Sequence, residues 1–279
     1  MTGTFAAYDG TKLAYHAQGS GLPLICLPGG MQASAYLGDL GGLTGHRQVI
    51  TLDLRGTGDS ATPEDPGTYR CDRLVDDVEA LREHLGLDRF DLLGHSGGAN
   101  LANLYAARHP DRIARLLLPT PSTFAVGLPP SGDDRRASVL RRRTEPWFDQ
   151  AYAAFETIAA GEATAEHWAA IAPFSYGRWD DAARAHHALE ATQRNMEAMA
   201  VYGSEGAFDP DATRAALRTL RAPVLLLAGE VDPGAPPAAV RNFAALFPDA
   251  TYVEQAGAAH YPWLDDPARF VAAVSDFLL

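Results

Sequence analysis

Five short apolar runs constrain this chain more than any other feature. They are Leu24–Leu27, Val49–Leu52, Phe90–Leu93, Ile113–Leu118 and Val224–Ala228. Their hydrophobicity is largely continuous rather than alternating. That pattern marks strands buried on both faces, as in a parallel sheet covered by helices. Helical spacing fills the intervals. Leu74, Val78, Leu81 and Leu85 share one face of a helix expected over Asp72–Leu85, with Gly86 as its stop. A second helix is expected over Gly97–Arg108, and a third from the Asp209-Pro210 start through Leu220. Strand and helix alternate, which predicts an α/β fold with a doubly wound, mostly parallel sheet. Near the N-terminus, Asp9-Gly10 sits between the runs Thr4–Tyr8 and Lys12–Ala17. It signals a hairpin, so the sheet opens antiparallel.

Residues 120–208 break this rhythm. Strand signals fade, and helices are expected near 133–143, 146–160, 164–172 and 180–202. Thr144 and Thr164 are candidate N-caps, Gly161 a stop and Pro173 a breaker. The segment holds 11 of the 25 aromatic residues and three of the four tryptophans. It reads as a helical cap inserted into a core made of 1–119 and 209–279.

Composition excludes several functions. The net charge is −12 over 279 residues, without the basic footprint of a phosphate-backbone binder, so no nucleic-acid partner is expected. No apolar run approaches the ~18 residues of a membrane span. Cys26 and Cys71 make neither a CxxC pair nor a disulfide framework, and no signal peptide is visible at the start of the chain. A reducing cytoplasm is the expected compartment. No HExxH spacing occurs, and the adjacent His186 and His187 would point different ways on a helix. No metal and no cofactor is expected. Oligomeric state is not legible.

The chemistry centres on Gly94-His95-Ser96-Gly97-Gly98. This G-x-S-x-G sequence follows an expected strand and opens an expected helix, the context of a nucleophile elbow. A serine on such a strained turn needs small neighbours. The same residues would also suit an ordinary Gly-rich turn. A serine hydroxyl needs a base, and His260 is the candidate, in a small-residue loop after the expected strand Thr251–Glu254. Most of the remaining histidines read as packing or surface positions, the alternative being a histidine of 120–208 (His167, His186 or His187) that touches substrate. An orienting carboxylate is expected just past Val224–Ala228. Asp232 is favoured, lying further into the loop and next to Pro233, and Glu230 is its competitor. Donors for an oxyanion are expected from Gly97 N–H and from Gly30 N–H in the loop Leu27-Pro28-Gly29-Gly30-Met31.

Four segments together resemble the α/β-hydrolase superfamily, in its lid-bearing serine hydrolase branch. They are LPGG at 27–30, DLRGTGDS at 53–60, GHSGG at 94–98, and GEVDP at 229–233 taken with AGAAHYPWLDDP at 256–267. The order Ser96, Asp232, His260 is also that of the superfamily. The resemblance implies a structural role for Asp53 and Arg55 in tying loops together. It extends distantly to proline iminopeptidases, which usually carry HGGPG and GGSWG where this chain has PGGMQ, with Met31 in place of the proline, and GHSGG. Dehalogenases and most epoxide hydrolases of the fold need an aspartate where Ser96 stands.

The expected function is therefore a serine hydrolase acting on a small, mostly apolar ester, lactone, thioester or C–C-cleavable ketone. One alternative is an aminopeptidase that binds an amine through Glu190, Glu197 or Glu205. Another is a lyase, oxidative enzyme or small-molecule receptor. Met31, Trp147, Tyr152, Trp168, Trp179 and Met196 are the candidate pocket residues. Phe148, Tyr152 and Phe155 share a helix face, which suits packing better than a substrate box. The arginines at 135, 136 and 141–143 read as a solvated face able to attract a carboxylate.

Overall fold

A computed structural model describes residues 1–279, position 191 through its backbone alone. Eight strands form one sheet: β1 (Thr2–Ala6), β2 (Lys12–Gln18), β3 (Pro23–Leu27), β4 (Gln48–Asp53), β5 (Phe90–Gly94), β6 (Ile113–Pro119), β7 (Val224–Gly229) and β8 (Ala250–Gln255). Their spatial order is β1-β2-β4-β3-β5-β6-β7-β8. The pairs β1·β2 and β2·β4 are antiparallel, and every later pair is parallel. The hairpin signal thus lies between the paired residues Ala6 and Lys12, with Gly10 at a φ of 84°. The first strand ends two residues earlier than expected because Ala7–Thr11 forms the turn.

The continuous apolar runs have a simple physical cause. Side chains alternate across a strand. Ile25 and Leu27, Leu92, Leu116 and Leu118, and Val224 and Leu226 enter one core. Leu24 and Cys26, Leu93, Leu117, and Leu225 and Leu227 enter the opposite one. Burying each such leucine contributes about 1.5–3 kcal/mol. The helices α1 (Cys71–His84) and α2 (Gly98–Arg108) cover the first face.

Between β6 and β7 the described residues form helices and turns. In order these are α3 (Gly132–Leu140), α4 (Phe148–Ala159), α5 (Ala165–Ala170), α6 (Asp181–Gln193), α7 (Met196–Tyr202) and α8 (Pro210–Leu217). The chain ends with α9 (Pro237–Ala244), α10 (Pro262–Asp265) and α11 (Pro267–Leu278). Val240 and Phe243 of α9 join the first core, and Phe270, Val274 and Leu278 of α11 close the second.

Two details differ from expectation. The single helix expected over 180–202 is two, because Arg194 turns extended and bridges Gln32. Asn195 then caps α7, its side chain accepting from Ala198 N–H at 3.0 Å. Thr144 caps nothing, since α4 starts after Trp147 without a side-chain cap. Thr164 does cap α5, and Asp209 caps α8. Cys26 and Cys71 are both buried free thiols. Among the described residues no helix is long and apolar enough to cross a membrane.

Candidate active site

The turn after β5 carries Ser96 at a φ of 51°, a left-handed conformation that costs a serine energy. Crowding holds it there. A Cβ on Gly97 would lie 2.7 Å from Gly30 N, and one on Gly98 would lie 2.4 Å from Leu27 O. Only glycine lets the loop after β3 press this closely on the turn. Gly30 N–H and Gly97 N–H are thereby brought together. Among the described residues neither donates to another part of the chain.

His260 reaches Ser96 from the loop after β8. Its Nε2 lies 2.9 Å from Ser96 Oγ, and its Nδ1 lies 2.8 Å from Asp232 Oδ2. Asp232 is buried beyond the end of β7, and its second oxygen accepts Gly234 N–H at 2.7 Å. Burial lowers the His260 pKa, but the adjacent carboxylate and its hydrogen bond outweigh that and raise it above the ordinary histidine value. Glu230 is turned elsewhere. It accepts Gly257 N–H at 2.8 Å and pairs with Arg141 at 2.8 Å. The geometry therefore brings Asp232, not Glu230, to the imidazole.

His95 lies behind this group and is buried. Its Nδ1 accepts from Tyr36 O–H at 2.7 Å, and Tyr36 Oη accepts Gly29 N–H at 2.8 Å. Burial, with His260 close by, pushes the His95 pKa well down, so the ring is neutral. The loop of His260 is tied to the 120–208 segment as well, through His260 N–H donating to Ser175 O at 3.0 Å.

Two cavities meet at Ser96 and His260. One of about 350 Å³ is walled by Met31, Phe124, Arg135, Met199 and Tyr202. The other, of about 360 Å³, is walled by Gln32, Trp168, His187, Glu190 and Arg194. Glu190 is buried there. Burial alone would raise its pKa, but His187 and Arg194 hold it down to about 2. Glu197 and Glu205 are exposed and line neither cavity.

Of the six expected pocket residues, Met31 and Trp168 line these cavities. The other four require correction. Trp147 and Tyr152 pack with Phe148, Phe155 and Phe174 in a small separate core, because the α4 face of Phe148, Tyr152 and Phe155 is turned into the segment and Trp147, just before α4, meets Phe174 edge to face. Trp179 lies tilted against Tyr176, which stacks on Tyr261. Met196 is 68% exposed; one helical turn later, Met199 faces both cavities instead. Met196 and Met199 are three apart in sequence, and spacing alone does not say which one turns inward. Tyr202, whose O–H donates to Gly97 O at 2.8 Å, carried no sequence signal.

Asp53 and Arg55 sit apart from the cavities. Asp53 accepts from Ser34 N–H at 2.8 Å, Asp59 N–H at 2.9 Å and His16 Nε2 at 2.9 Å. Ligand atoms of His16, Asp53 and Asp59 lie within 4.8 Å of one another, but those of Asp53 are taken up by these bonds. Arg55 is fully buried and joins Asp77 and Asp9.

The chain belongs to the alpha/beta hydrolase fold family, which matches residues 23–267. It is similar to a proline iminopeptidase from Heyndrickxia coagulans, 26% identical over 95% of this chain and 93% of that one. Among solved structures it is similar to a thermophilic esterase from Thermogutta terrifontis. The identity is 26% and the TM-score 0.70, with 100% and 98% of the two chains covered. An esterase from Rhodococcus sp. ECU1013 gives 25% identity and a TM-score of 0.74, covering 99% and 98%.

Proposed function

We propose that this chain is a serine hydrolase that cleaves a small, mostly apolar ester, lactone, thioester or C–C-cleavable ketone through an acyl-enzyme. The observation carrying this reading is the His260 imidazole, 2.9 Å from Ser96 Oγ on one side and 2.8 Å from Asp232 on the other. Asp232 accepts the Nδ1–H and so leaves Nε2 free to act as base. His260 takes the Ser96 proton as Oγ attacks the substrate carbonyl. The carbonyl electron pair moves onto oxygen, where Gly30 and Gly97 N–H groups receive it. The pair returns, the bond to the leaving group breaks, and His260 Nε2–H protonates that group. Water deprotonated by His260 then releases the acid and restores Ser96. No cofactor enters these steps. In this reading residues 120–208 form a cap over a core of 1–119 and 209–279, and the partner is a small molecule. The esterases of similar fold support the reaction class.

A fluorophosphonate should label Ser96, read by intact mass and peptide mapping. Folded protein that stays unlabelled overturns the reading. Ser96→Ala or His260→Ala should lower kcat by about 10⁶, as in the subtilisin triad.

One observation favours a second reading, an aminopeptidase like the proline iminopeptidase relative. Glu190 places a buried carboxylate in the second cavity. Its ion pair with Arg194 neutralises it, which counts against amine binding. Turnover of prolyl arylamides, abolished selectively in Glu190→Gln, would establish this activity. Turnover of acyl esters alone would exclude it.

A further inference from the structure

The basic run of the 120–208 segment separates into different environments. Arg136 pairs with Glu156 at 2.9 Å, Arg141 with Glu230 at 2.8 Å and Arg142 with Glu145 at 3.2 Å. Arg143 is exposed and has no carboxylate partner among the described residues, whereas Arg135 lacks one while half-buried. Among the described residues no carboxylate lies within 4.0 Å of it, and it makes one hydrogen bond, from Nη1 to Pro233 O at 2.8 Å. It is half-buried on α3 and lines the first of the two cavities that meet at Ser96. A guanidinium carries five N–H donors, and removing it from water without an anion is unfavourable. Burial accordingly lowers its pKa, with Asp232 only partly opposing the shift.

Gly30 N–H and Gly97 N–H also face that cavity and are assigned to the oxyanion, while other polar side chains around it are engaged. Asn100 is engaged with Ser122 Oγ at 2.9 Å and Ala125 N–H at 3.0 Å. Thr120 donates to His260 O at 3.0 Å, and Thr123 donates to Leu128 O at 2.6 Å. The anchoring carbonyl of Arg135 is also close to the reacting groups. A Cβ on Gly234, the next residue, would lie 3.1 Å from His260 Nδ1. In the other cavity Arg194 and Glu190 satisfy each other. The net charge of −12 disfavours anions at long range, but screening over about 8 Å leaves the choice to the local cation.

We propose that Arg135 binds a carboxylate carried by the substrate, so that the preferred substrates are half-esters of small dicarboxylic acids rather than their neutral diesters. This rests on the hydrolase reading for its chemistry, though not for its binding step. A planar guanidinium takes a carboxylate through two parallel hydrogen bonds, which suits this occupant better than a neutral polar group.

The test compares monomethyl adipate with dimethyl adipate, by kcat/KM, in wild type, Arg135→Met and Arg135→Lys. Wild type should favour the half-ester. Arg135→Met should reduce the half-ester to diester ratio by about 10- to 100-fold, with Arg135→Lys between. A ratio unchanged in Arg135→Met overturns the proposal. So does a parallel loss on both esters, which would mark Arg135 as a tether for the Pro233 loop only. Calorimetry of adipate binding to Ser96→Ala separates this from failure of the hydrolase reading. Binding that weakens at least about tenfold on adding Arg135→Met supports the carboxylate site even where neither ester turns over. Absence of adipate binding to Ser96→Ala overturns it.

Discussion

His95 donates its Nε2–H to the carbonyl oxygen of His260 across 3.0 Å. A carbonyl only accepts, so the proton must be on Nε2, and Nδ1 is free to accept from Tyr36. A chain of hydrogen bonds therefore runs from Gly29 N–H through Tyr36 and His95 to the loop of His260. It joins the loop after β3, the turn of Ser96 and the loop after β8 inside the protein.

Tyr36→Phe should break that chain in the middle. Gly29 N–H and His95 Nδ1 would lose their partner while remaining buried. A cost of about 1–3 kcal/mol is expected, visible as a lowered urea midpoint with an unchanged slope. An unaltered midpoint would mean that water replaces the hydroxyl.

The two acids beyond β7 should separate clearly in kinetics. Asp232→Asn should lower kcat by about 10⁴, the loss known for the trypsin-type triad. Glu230→Gln should stay within a few-fold of wild type, because Glu230 serves Gly257 and Arg141. Similar losses in both variants would contradict the assignment of Asp232 alone.

The pH profile should report the environment of His260. Burial lowers its pKa and Asp232 raises it, leaving it above the ordinary histidine value. The base works when neutral, so kcat/KM should rise with pH through that raised pKa. Asp232→Asn removes the raising charge and keeps the burial. The acidic limb of its residual activity should therefore move to lower pH. A limb that moves upward would show that Asp232 is not what raises the pKa.

Arg55→Ala should destabilise the fold. It leaves Asp77 buried without its cation, a change that costs about 3–5 kcal/mol. Chemical denaturation measures it. A loss below about 1 kcal/mol would put the pair in the class of exposed ion pairs.

Much of this protein is legible in its sequence alone. Strand positions followed from apolar runs whose alternate residues serve two cores. The Ser96 turn followed from steric need, since the glycines beside it stand where no Cβ fits. These signals are local, so one dimension suffices to read them. Only the tertiary structure decided between Asp232 and Glu230, two residues apart, because the choice depends on which loop each faces. It also decided that Trp147 and Tyr152 pack away from Ser96 while Met199 and Arg135 reach its cavity. Helical periodicity says that a face is covered, never by what. The bond from Arg135 to Pro233 spans 98 positions of sequence. Nothing in either segment alone encodes that meeting; the parallel pairing of β6 with β7, which sets the ends of the two strands side by side, brings the segments that follow them together.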